Sequence, residues 1–383
     1  MSRNSLFQLK DFGVSVWCDE LSRVMIRGGE LQKLAEEKAV VGVTSNPSIF
    51  QKALAEGDAY DADIEKLAAA GKSKEEIFDA LATEDIREAC DVFLPIYRKT
   101  RGEDGFVSIE VAPDLASDTE ATVQAATRYH KEIARPNLMV KIPGTLAGLP
   151  AIRRMIAAGK SINVTLIFSL DRYAAVAEAY LEGLEDLASR GGELRSVHSV
   201  ASFFVSRIDT EADKRIDRKL EAIDDAGARS RLEGLKGKIA VANAKLAFER
   251  FQRIFSGPRW DALEGRGARV QRCLWASTST KNKAYSDILY VQELIGGPTV
   301  NTMPIKTMDA YADHGRPEAT LTRGVAEAHR QIDALADFGI DYHDITDNFA
   351  ESEGVQKFRE AYAELLAGLE SKRRQLPGVV AGA

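Results

Sequence analysis

The sequence lacks the short motifs that most often mark metal-dependent and nucleotide-binding enzymes. Its five histidines are scattered, and no His-Glu-x-x-His or comparable pair of metal ligands occurs among them. It contains neither a Walker loop nor a Gly-x-Gly-x-x-Gly fingerprint. We therefore expect no metal site, and a phosphate group, if one is bound, must be held in another way.

Cysteine is also scarce, with Cys18, Cys90 and Cys273 as the only three in 383 residues. Their odd number, their wide separation and the absence of metal-ligand spacing favour a reducing compartment. No run of about 18 apolar residues is present, and the first residues contain no apolar stretch of signal-peptide length. We therefore expect a cytoplasmic protein that does not span a membrane.

Positive charge is in short supply relative to acidic groups. The formal net charge is −7 at pH 7. Nucleic acid is therefore not an expected partner, and an anionic substrate would need a local cluster of lysine or arginine side chains. A hydrophobic content of 45% over this length is ample for a large buried core.

Eight short apolar segments recur along the chain, separated by longer stretches with helical patterns. Most have the length of a buried strand and are rich in Val, Ile, Leu or Phe. Strand and helix alternating eight times predict a single (β/α)8 barrel of the TIM type, and the alternative is an open, doubly wound sheet. The count of eight and the lack of a glycine-rich first turn favour the barrel. The predicted strands are Val14–Asp19, Val40–Ser45, Phe106–Val111, Leu138–Ile142, Ile162–Phe168, Val197–Phe204, Val270–Ser277 and Thr299–Met303.

Two connections are much longer than the others. Residues 47–105, between the second and third predicted strands, should hold additional helices, and residues 208–268 should hold a long charged helix or a pair of helices. We interpret the charged run at 211–219 as a solvated helix face rather than a binding patch. No linker suggests a second domain, so residues 1–376 are expected to form one barrel domain and residues 377–383 a flexible tail.

Reactive side chains occur within or just beyond the first seven predicted strands. In a (β/α)8 barrel, the C-terminal ends of the strands converge on one mouth, where the chemistry takes place. The sequence therefore predicts that these side chains share one site. They are Asp19, Asn46, Glu110, Lys141, Asn163, Thr165, Ser202, Arg207, Ser277 and Lys281.

Several of these side chains also have an ordinary structural explanation. Asp19 could cap a helix, Asn46 could belong to a turn before Pro47, and the hydroxyl groups could bind loop backbone. Glu110 and Lys141 are harder to explain in this way, because a charge within an apolar strand needs a partner. An ion pair of Lys141 with Glu110 or with Asp19 is the structural alternative.

The functional interpretation starts from the same lysine. Burial disfavours the charged form of Lys141, and the neutral amine is a nucleophile that forms a Schiff base with a ketone. The iminium then accepts electrons when a neighbouring C–C bond breaks. This chemistry also needs a carboxylate to move protons and amides or hydroxyls to orient a sugar, and the side chains at the mouth supply both.

Five segments around these residues form a distinctive set. They are Val-Thr-Ser-Asn-Pro-Ser-Ile-Phe ending at Phe50, Val-Ser-Ile-Glu-Val ending at Val111, Val-Lys-Ile-Pro-Gly-Thr ending at Thr145, Ile-Asn-Val-Thr-Leu-Ile-Phe-Ser ending at Ser169, and Trp-Ala-Ser-Thr-Ser-Thr-Lys-Asn ending at Asn282. Together they resemble the transaldolase family, in the longer form found in actinobacteria and plants. The resemblance runs from about Asp11 to about Gly315 and continues more weakly to the end.

The resemblance implies a role for each candidate residue. Lys141 matches the lysine that forms the Schiff base, and Glu110 matches a carboxylate that transfers protons through a catalytic water. Asp19 matches the acid/base for the hydroxyl next to the cleaved bond. Four side chains match groups that hold the water, the carbinol and the bound ketol: Asn46, Asn163, Thr165 and Ser202. Three match the phosphate site: Arg207, Ser277 and Lys281, the last of which is an arginine in other members.

The implied reaction moves a dihydroxyacetone unit between sugar phosphates in the non-oxidative pentose phosphate pathway. Sedoheptulose 7-phosphate and glyceraldehyde 3-phosphate would give erythrose 4-phosphate and fructose 6-phosphate. No metal or organic cofactor is expected, because the iminium does the work of a Lewis acid. We expect a monomer or homodimer whose partners are its sugar-phosphate substrates.

Two alternatives remain open. Related aldolases that release free dihydroxyacetone resemble this chain in fold and lysine, but carry Gln at the position of Glu110 and Tyr at the position of Phe204. A barrel that only binds sugar phosphates is the other alternative, and the presence of Lys141 argues against it.

Overall fold

The eight apolar segments form the strands of a barrel in the computed structural model, which describes residues 4–55 and 57–376. The strands are β1 Val14–Cys18, β2 Val40–Thr44, β3 Val107–Glu110, β4 Leu138–Pro143, β5 Ile162–Ile167, β6 Ser199–Phe204, β7 Arg272–Ala276 and β8 Thr299–Met303. Neighbours in the chain pair in parallel, and β1 pairs with β8 to close the sheet. The predicted barrel is therefore confirmed and the open sheet is excluded. The predicted tail at 377–383 lies outside the described residues.

Helices surround this barrel and fill the connections between its strands. None of the helices in the described part of the chain is long and apolar enough to cross a membrane. Two 3-10 helices, Lys10–Phe12 and Pro113–Ser117, and a π-helix, Asp344–Ala350, complete the set. The α-helices are α1 Ser5–Leu9, α2 Arg23–Arg27, α3 Glu30–Glu37, α4 Pro47–Ala55, α5 Asp61–Ala69, α6 Lys74–Lys99, α7 Thr119–Ile133, α8 Gly148–Ala157, α9 Leu170–Ser189, α10 Ser206–Leu220, α11 Ala226–Glu233, α12 Ile239–Ile254, α13 Pro258–Glu264, α14 Leu289–Glu293, α15 Ile305–His314, α16 Val325–Asp337 and α17 Glu351–Gln375.

The two long connections contain additional helices. Helices α4, α5 and α6 lie between β2 and β3, as predicted. Between β6 and β7 lie α10, α11, α12 and α13, so the prediction of one long helix or a pair gave too few. Local capping explains the extra breaks: the carboxylate of Asp225 accepts from the Ala228 N–H at the start of α11, and Gly257 takes φ 84° before Pro258 begins α13.

The charged run at 211–219 is only partly a solvated helix face, so that interpretation was wrong for its first turn. Glu211 and Asp213 are only 5% and 8% exposed. The carboxylate of Asp213 accepts a hydrogen bond from the Tyr285 hydroxyl, 72 residues further along the chain. A buried carboxylate needs such partners, and its partners come from a segment that the helical pattern does not reveal.

The interior of the barrel is a packed apolar core below the mouth. Its buried side chains are Trp17, Phe106, Met139, Val200, Leu274, Ala276 and Val300. Side chains two residues apart on a strand point to the same side. Met139 is therefore followed on the inner side by Lys141, and Val200 by Ser202. The polar layer of the mouth rests on this apolar core.

Helix α17 lies across the C-terminal ends of the barrel strands. It contacts β5, α4 and the 3-10 helix that follows β3. Gly354 lies so close to the barrel that an added Cβ would be 2.8 Å from the Phe168 ring and 3.7 Å from the Arg207 Nη1 atom. The last helix therefore covers part of the mouth, on the side of Arg207.

Candidate active site

Lys141 is buried in the mouth and contacts a carboxylate on the neighbouring strand. The register of β3, β4 and β5 places Glu110, Lys141 and Asn163 side by side. The Nζ atom of Lys141 lies 2.9 Å from Glu110 Oε2 and donates to the Ser45 carbonyl oxygen at 3.1 Å. The two charged side chains are 7% and 4% exposed. Of the two ion pairs considered from the sequence, the one with Glu110 is formed.

Glu110 has one oxygen bound to the lysine and one without a partner. Its Oε1 atom is buried and accepts no hydrogen bond among the described residues. Burial raises the pKa of Glu110 to about 6, against the lowering effect of Lys141. A buried acceptor without a donor is destabilising, so a site of this kind suits a proton or a polar ligand.

A small cavity adjoins this carboxylate. It has a volume of about 10 Å³ and is lined by Ser45, Asn46, Glu110 and neighbouring apolar side chains. Such a volume corresponds to about one water molecule. The surroundings of Glu110 therefore fit the water-mediated role that the resemblance implies.

Asp19 follows β1 and does not cap a helix. The next helix, α2, is capped instead by the Ser22 side chain, which accepts from the Met25 N–H. Burial raises the pKa of Asp19 to about 7, and Glu20 adds to the rise while Lys281 and Lys141 oppose it. A carboxyl group with such a pKa can accept and return a proton near neutral pH.

Asn163 and Ser202 belong to a hydrogen-bonded chain across three strands. The Asn163 amide nitrogen donates to Ser108 Oγ at 3.1 Å, and the Ser202 hydroxyl donates to Asn163 Oδ1 at 2.7 Å. The chain fixes the orientation of the amide. Ser108 was missed in the sequence, although its position two residues before Glu110 places it on the same side of β3.

Thr165 offers a hydroxyl that has no partner. Its Oγ1 atom is buried and unbonded among the described residues. The pairing of β5 with β6 shifts register between Val164 and Ile167, and Leu166 adopts φ 59° there. Bulges of this kind redirect side chains beside active sites. The Thr165 hydroxyl is thereby left for a ligand.

Asn46 begins helix α4, so its side chain is partly used for capping. Its Oδ1 atom accepts from the Ile49 N–H at 3.1 Å. This oxygen therefore has a structural role, as a helix cap rather than in the turn considered from the sequence. The amide nitrogen makes no hydrogen bond among the described residues, and Asn46 lines the small cavity together with Glu110.

The candidate phosphate-binding residues lie on the segments after β6 and β7. Arg207 is in the first turn of α10, and its buried Nη1 atom has no partner among the described residues. Burial lowers the pKa of this guanidinium, and Glu353 opposes the change. Its guanidinium carbon lies 5.2 Å from the centre of the Phe204 ring, which offers a cation–π contact and no proton.

The segment after β7 is joined to the segment after β6 at its beginning. Ser277 adopts φ 55°, and its Oγ atom lies 3.0 Å from Ser206 Oγ. Lys281 is exposed, and its Nζ atom donates to Ser279 Oγ at 2.8 Å. Ser206 and Ser279 were not singled out in the sequence, because small polar residues in loops carry no distinctive pattern.

No group of three or more His, Cys, Asp or Glu side chains suited to a metal ion occurs in the part of the chain that the structure describes. The mouth instead combines one buried amine, two carboxyls with raised pKa values, a fixed amide and several hydroxyls. This combination can form an imine with a ketone and move protons around it.

Comparison with known proteins agrees with this arrangement. The family model described as transaldolase/fructose-6-phosphate aldolase matches residues 16–369. A transaldolase of Trichodesmium erythraeum is 46% identical over 382 residues, covering 99% of this chain and 100% of the relative. A transaldolase of Mycobacterium tuberculosis (strain H37Rv) is 52% identical over 366 residues, covering 94% of this chain and 95% of the relative. The chain therefore belongs to the transaldolase/fructose-6-phosphate aldolase family.

Proposed function

We propose that this protein is a transaldolase that transfers a dihydroxyacetone unit from sedoheptulose 7-phosphate to glyceraldehyde 3-phosphate through a Schiff base on Lys141. The observation that carries the proposal is the buried Lys141 amine, 2.9 Å from a carboxylate with an unpartnered oxygen, at the mouth of a (β/α)8 barrel. Relatives named transaldolase, at 46% and 52% identity, support the same reaction.

The first half of the proposed cycle forms and cleaves the substrate imine. The Lys141 amine adds to the ketone carbon C2, and the carbinolamine loses water to give an iminium, with Glu110 moving the protons. Asp19 then takes the proton of the C4 hydroxyl while the C3–C4 bond breaks. The bonding electrons move to the iminium nitrogen, which yields an enamine on Lys141 and an aldose phosphate that leaves.

The second half runs the same steps backward with a new aldehyde. The enamine carbon attacks the acceptor carbonyl, Asp19 returns its proton to the new hydroxyl, and water releases the ketose phosphate. A carboxyl with a pKa of about 7 suits both directions, because it exchanges its proton readily near neutral pH. In this proposal Asn163, Thr165 and Ser202 hold the ketol hydroxyls, and Asn46 contacts the carbinol.

The competing function within the family is an aldolase that releases free dihydroxyacetone. Release requires protonation of the enamine carbon, whereas transfer requires that the enamine persist until an aldehyde arrives. Phe204 lies beside Phe168 and below Arg207 and has no proton to give. This ring, together with Glu110 where the aldolases have glutamine, favours the transferase.

An acceptor-dependence assay tests the proposal on the unmodified protein. We expect rapid consumption of fructose 6-phosphate when erythrose 4-phosphate is present, and much slower formation of free dihydroxyacetone when it is absent. The measurement counts free ketone against transferred ketone. Release at the same rate with and without acceptor would establish the aldolase, and no turnover in either case would establish a binding barrel.

Replacing Arg207 with alanine should weaken binding of phosphorylated substrates selectively. Charge-assisted hydrogen bonds from a guanidinium to phosphate are strong, so we expect the KM for fructose 6-phosphate to rise about 10- to 100-fold. The KM for unphosphorylated fructose should change little. The measurement is steady-state kinetics with both sugars.

A matched control for this variant is Arg153→Ala. Arg153 pairs with Glu182 and Asp186 on the protein surface, and such pairs contribute little. The control should leave both KM values unchanged. Equal losses for fructose and fructose 6-phosphate in Arg207→Ala would show that Arg207 is structural.

We further propose that residues 1–376 form one domain, that the protein acts in the cytoplasm, and that it works as a monomer or homodimer. Three buried, free cysteines support a reducing compartment. The family match extends over residues 16–369 without a break, which supports one domain.

A further inference from the structure

Two buried aspartates lie one turn apart on the inner side of α10. Asp209 and Asp213 are 1% and 8% exposed. The two oxygens of Asp209 accept from the Ala240 N–H at 2.7 Å and from the Tyr290 hydroxyl at 2.9 Å. Both carboxylates are thus buried on the helix whose first turn contains Arg207, the proposed phosphate-binding residue.

Asp213 has the same pattern of partners. Its Oδ1 atom accepts from the Gly237 N–H at 3.0 Å, and its Oδ2 atom accepts from the Tyr285 hydroxyl at 2.6 Å. The Ala240 N–H lies in the first turn of α12, where Lys238 supplies no side-chain cap, and Gly237 lies two residues before that helix begins. One oxygen of each aspartate therefore binds a backbone N–H in or just before the first turn of α12, and the other binds a tyrosine.

Tyr285 belongs to the segment that carries Lys281. This segment is closed on itself, because the Thr280 hydroxyl donates to the Ser286 carbonyl at 2.8 Å and the Tyr285 N–H donates to the Asn282 carbonyl at 3.1 Å. A shift of the Tyr285 ring would therefore carry Lys281 with it. The hydrogen bond to Asp213 connects this closed segment to α10.

The Tyr285 ring packs against Gly237 and also borders a cavity. The ring lies against Gly237, where an added Cβ would be 2.8 Å from the ring carbon Cζ. On another side it borders a cavity of about 420 Å³ between α12, α14 and α16. The bond between the Tyr285 hydroxyl and Asp213 is therefore the directional contact that fixes the ring.

We propose that Asp213 and Tyr285 are positioning residues that hold Lys281 in register with Arg207 for binding the substrate phosphate. The inference rests on the proposed function of these two cations. The segments after β6 and β7 are joined near the barrel by Ser206 and Ser277 and further out by Asp213 and Tyr285. The inner contacts restrain the start of the segment, which Thr278 also binds to β8, and the outer contact restrains the part near Lys281.

Tyr285→Phe tests this proposal by removing one hydroxyl group. We expect the KM for fructose 6-phosphate to rise about fivefold, the loss typical of one hydrogen bond, with kcat within about twofold of the unmodified protein. The KM for unphosphorylated fructose should stay the same. The rise in Tm produced by inorganic phosphate should also shrink, and this readout does not depend on turnover.

Tyr290→Phe is the matched control. It removes the corresponding, more deeply buried hydroxyl from the other aspartate, but its tyrosine lies on α14 and not in the Lys281 segment. The control should lower Tm and leave the phosphate dependence of KM unchanged. Asp213→Asn, which keeps an acceptor for the Gly237 N–H, should impair phosphate binding less than Asp213→Ala.

The outcomes separate the possible failures. An unchanged KM in Tyr285→Phe, or an equal rise in Tyr290→Phe, would overturn the positioning role and leave the transferase proposal intact. If the unmodified protein forms no adduct and transfers no ketone, the proposed function itself fails, whatever the tyrosine variants do.

Discussion

Replacing Lys141 with alanine is expected to abolish both turnover and the covalent adduct that borohydride traps. The reason is that the bond between the lysine nitrogen and the ketone carbon is the first step on which all later steps depend. Incubation with fructose 6-phosphate, reduction and mass spectrometry measure the adduct and its site. An adduct that survives the substitution would show that another amine is the nucleophile.

Two further variants separate loss of chemistry from loss of structure. Lys141→Met keeps most of the side-chain length and should also lose the adduct, without the cavity that alanine leaves. Lys281→Ala removes an exposed lysine at the same mouth and should keep the adduct, because its Nζ atom is bound to Ser279 and lies outside the buried strand layer. Loss of the adduct in both Lys141 variants and its retention in Lys281→Ala would identify Lys141 as the nucleophile.

Replacing Lys141 should also affect the stability of the protein. The cation at Lys141 lowers the pKa of Glu110, so its removal should raise that pKa above about 6. Glu110 would then be protonated over more of the neutral range. Protonation neutralises the buried Glu110 carboxyl group, which would otherwise be an unpaired buried charge. We therefore expect Lys141→Met to remain folded.

The strands could be predicted from the sequence because a strand that is buried on both sides appears as a short apolar segment. Each observed strand overlaps its predicted segment and differs from it by at most two residues at either end. The position of the candidate site at the mouth could also be predicted, since a parallel barrel brings all C-terminal strand ends together. Residues such as Glu110 and Lys141 were identifiable because a charge in an apolar strand has few explanations.

Apart from the ion pair of Lys141 with Glu110, the side-chain contacts between strands could not be predicted, because they depend on register. The chain of hydrogen bonds from Ser108 through Asn163 to Ser202 joins residues of three strands that are 55 and 39 positions apart in the sequence. Serine is common in loops and strands alike, so Ser108 gave no signal until the barrel placed it beside Asn163. The hydrogen-bonding partner of Lys141 at the Ser45 carbonyl is invisible in sequence for the same reason.

The wrong interpretation of the charged run has a related cause. A charged residue on a helix is most often solvated, and the pattern of 211–219 is that of an exposed helix. Asp213 is buried only because α12 and Tyr285 come to it from distant parts of the chain. Tertiary partners therefore decide burial where the local pattern is ambiguous.

Glu110→Gln is expected to lower the rate of transfer by about 10²- to 10⁴-fold, the range typical of lost acid–base catalysis. Glutamine has nearly the same volume and keeps an oxygen that can accept from the Lys141 amine, so packing and the local hydrogen bond should survive. What it loses is the ability to take up and release a proton. Steady-state kinetics with fructose 6-phosphate and an acceptor measure the effect, and KM should change little.

The pH dependence gives a second readout of the same variant. Glu110 and Asp19 have pKa values near 6 and 7, and the proposed cycle uses both as bases. Activity should therefore fall as the pH drops through these values and both groups become protonated. In Glu110→Gln only Asp19 remains, so the slope of log kcat/KM against pH below pH 6 should decrease by one.

Asp85→Asn provides a control on another buried ion pair. Asp85 is fully buried, bonded to Arg23 Nε at 2.8 Å and to the Tyr60 hydroxyl at 2.7 Å. Breaking this pair should lower Tm, because hydrogen bonds to charged groups contribute about 1.5–3 kcal/mol each. It should leave kcat near that of the unmodified protein.

The contrast between the two buried pairs decides between a structural and a catalytic role for Glu110. Both oxygens of Asp85 have partners, as expected of a carboxylate retained for stability. Glu110 uses one oxygen for Lys141 and leaves the other buried and unbonded, an arrangement that lowers stability unless a substrate or proton uses it. We therefore expect Asp85→Asn to reduce Tm more than kcat, and Glu110→Gln to reduce kcat more than Tm. A Glu110→Gln variant that keeps transfer within about tenfold would leave the ion pair as the only role of Glu110.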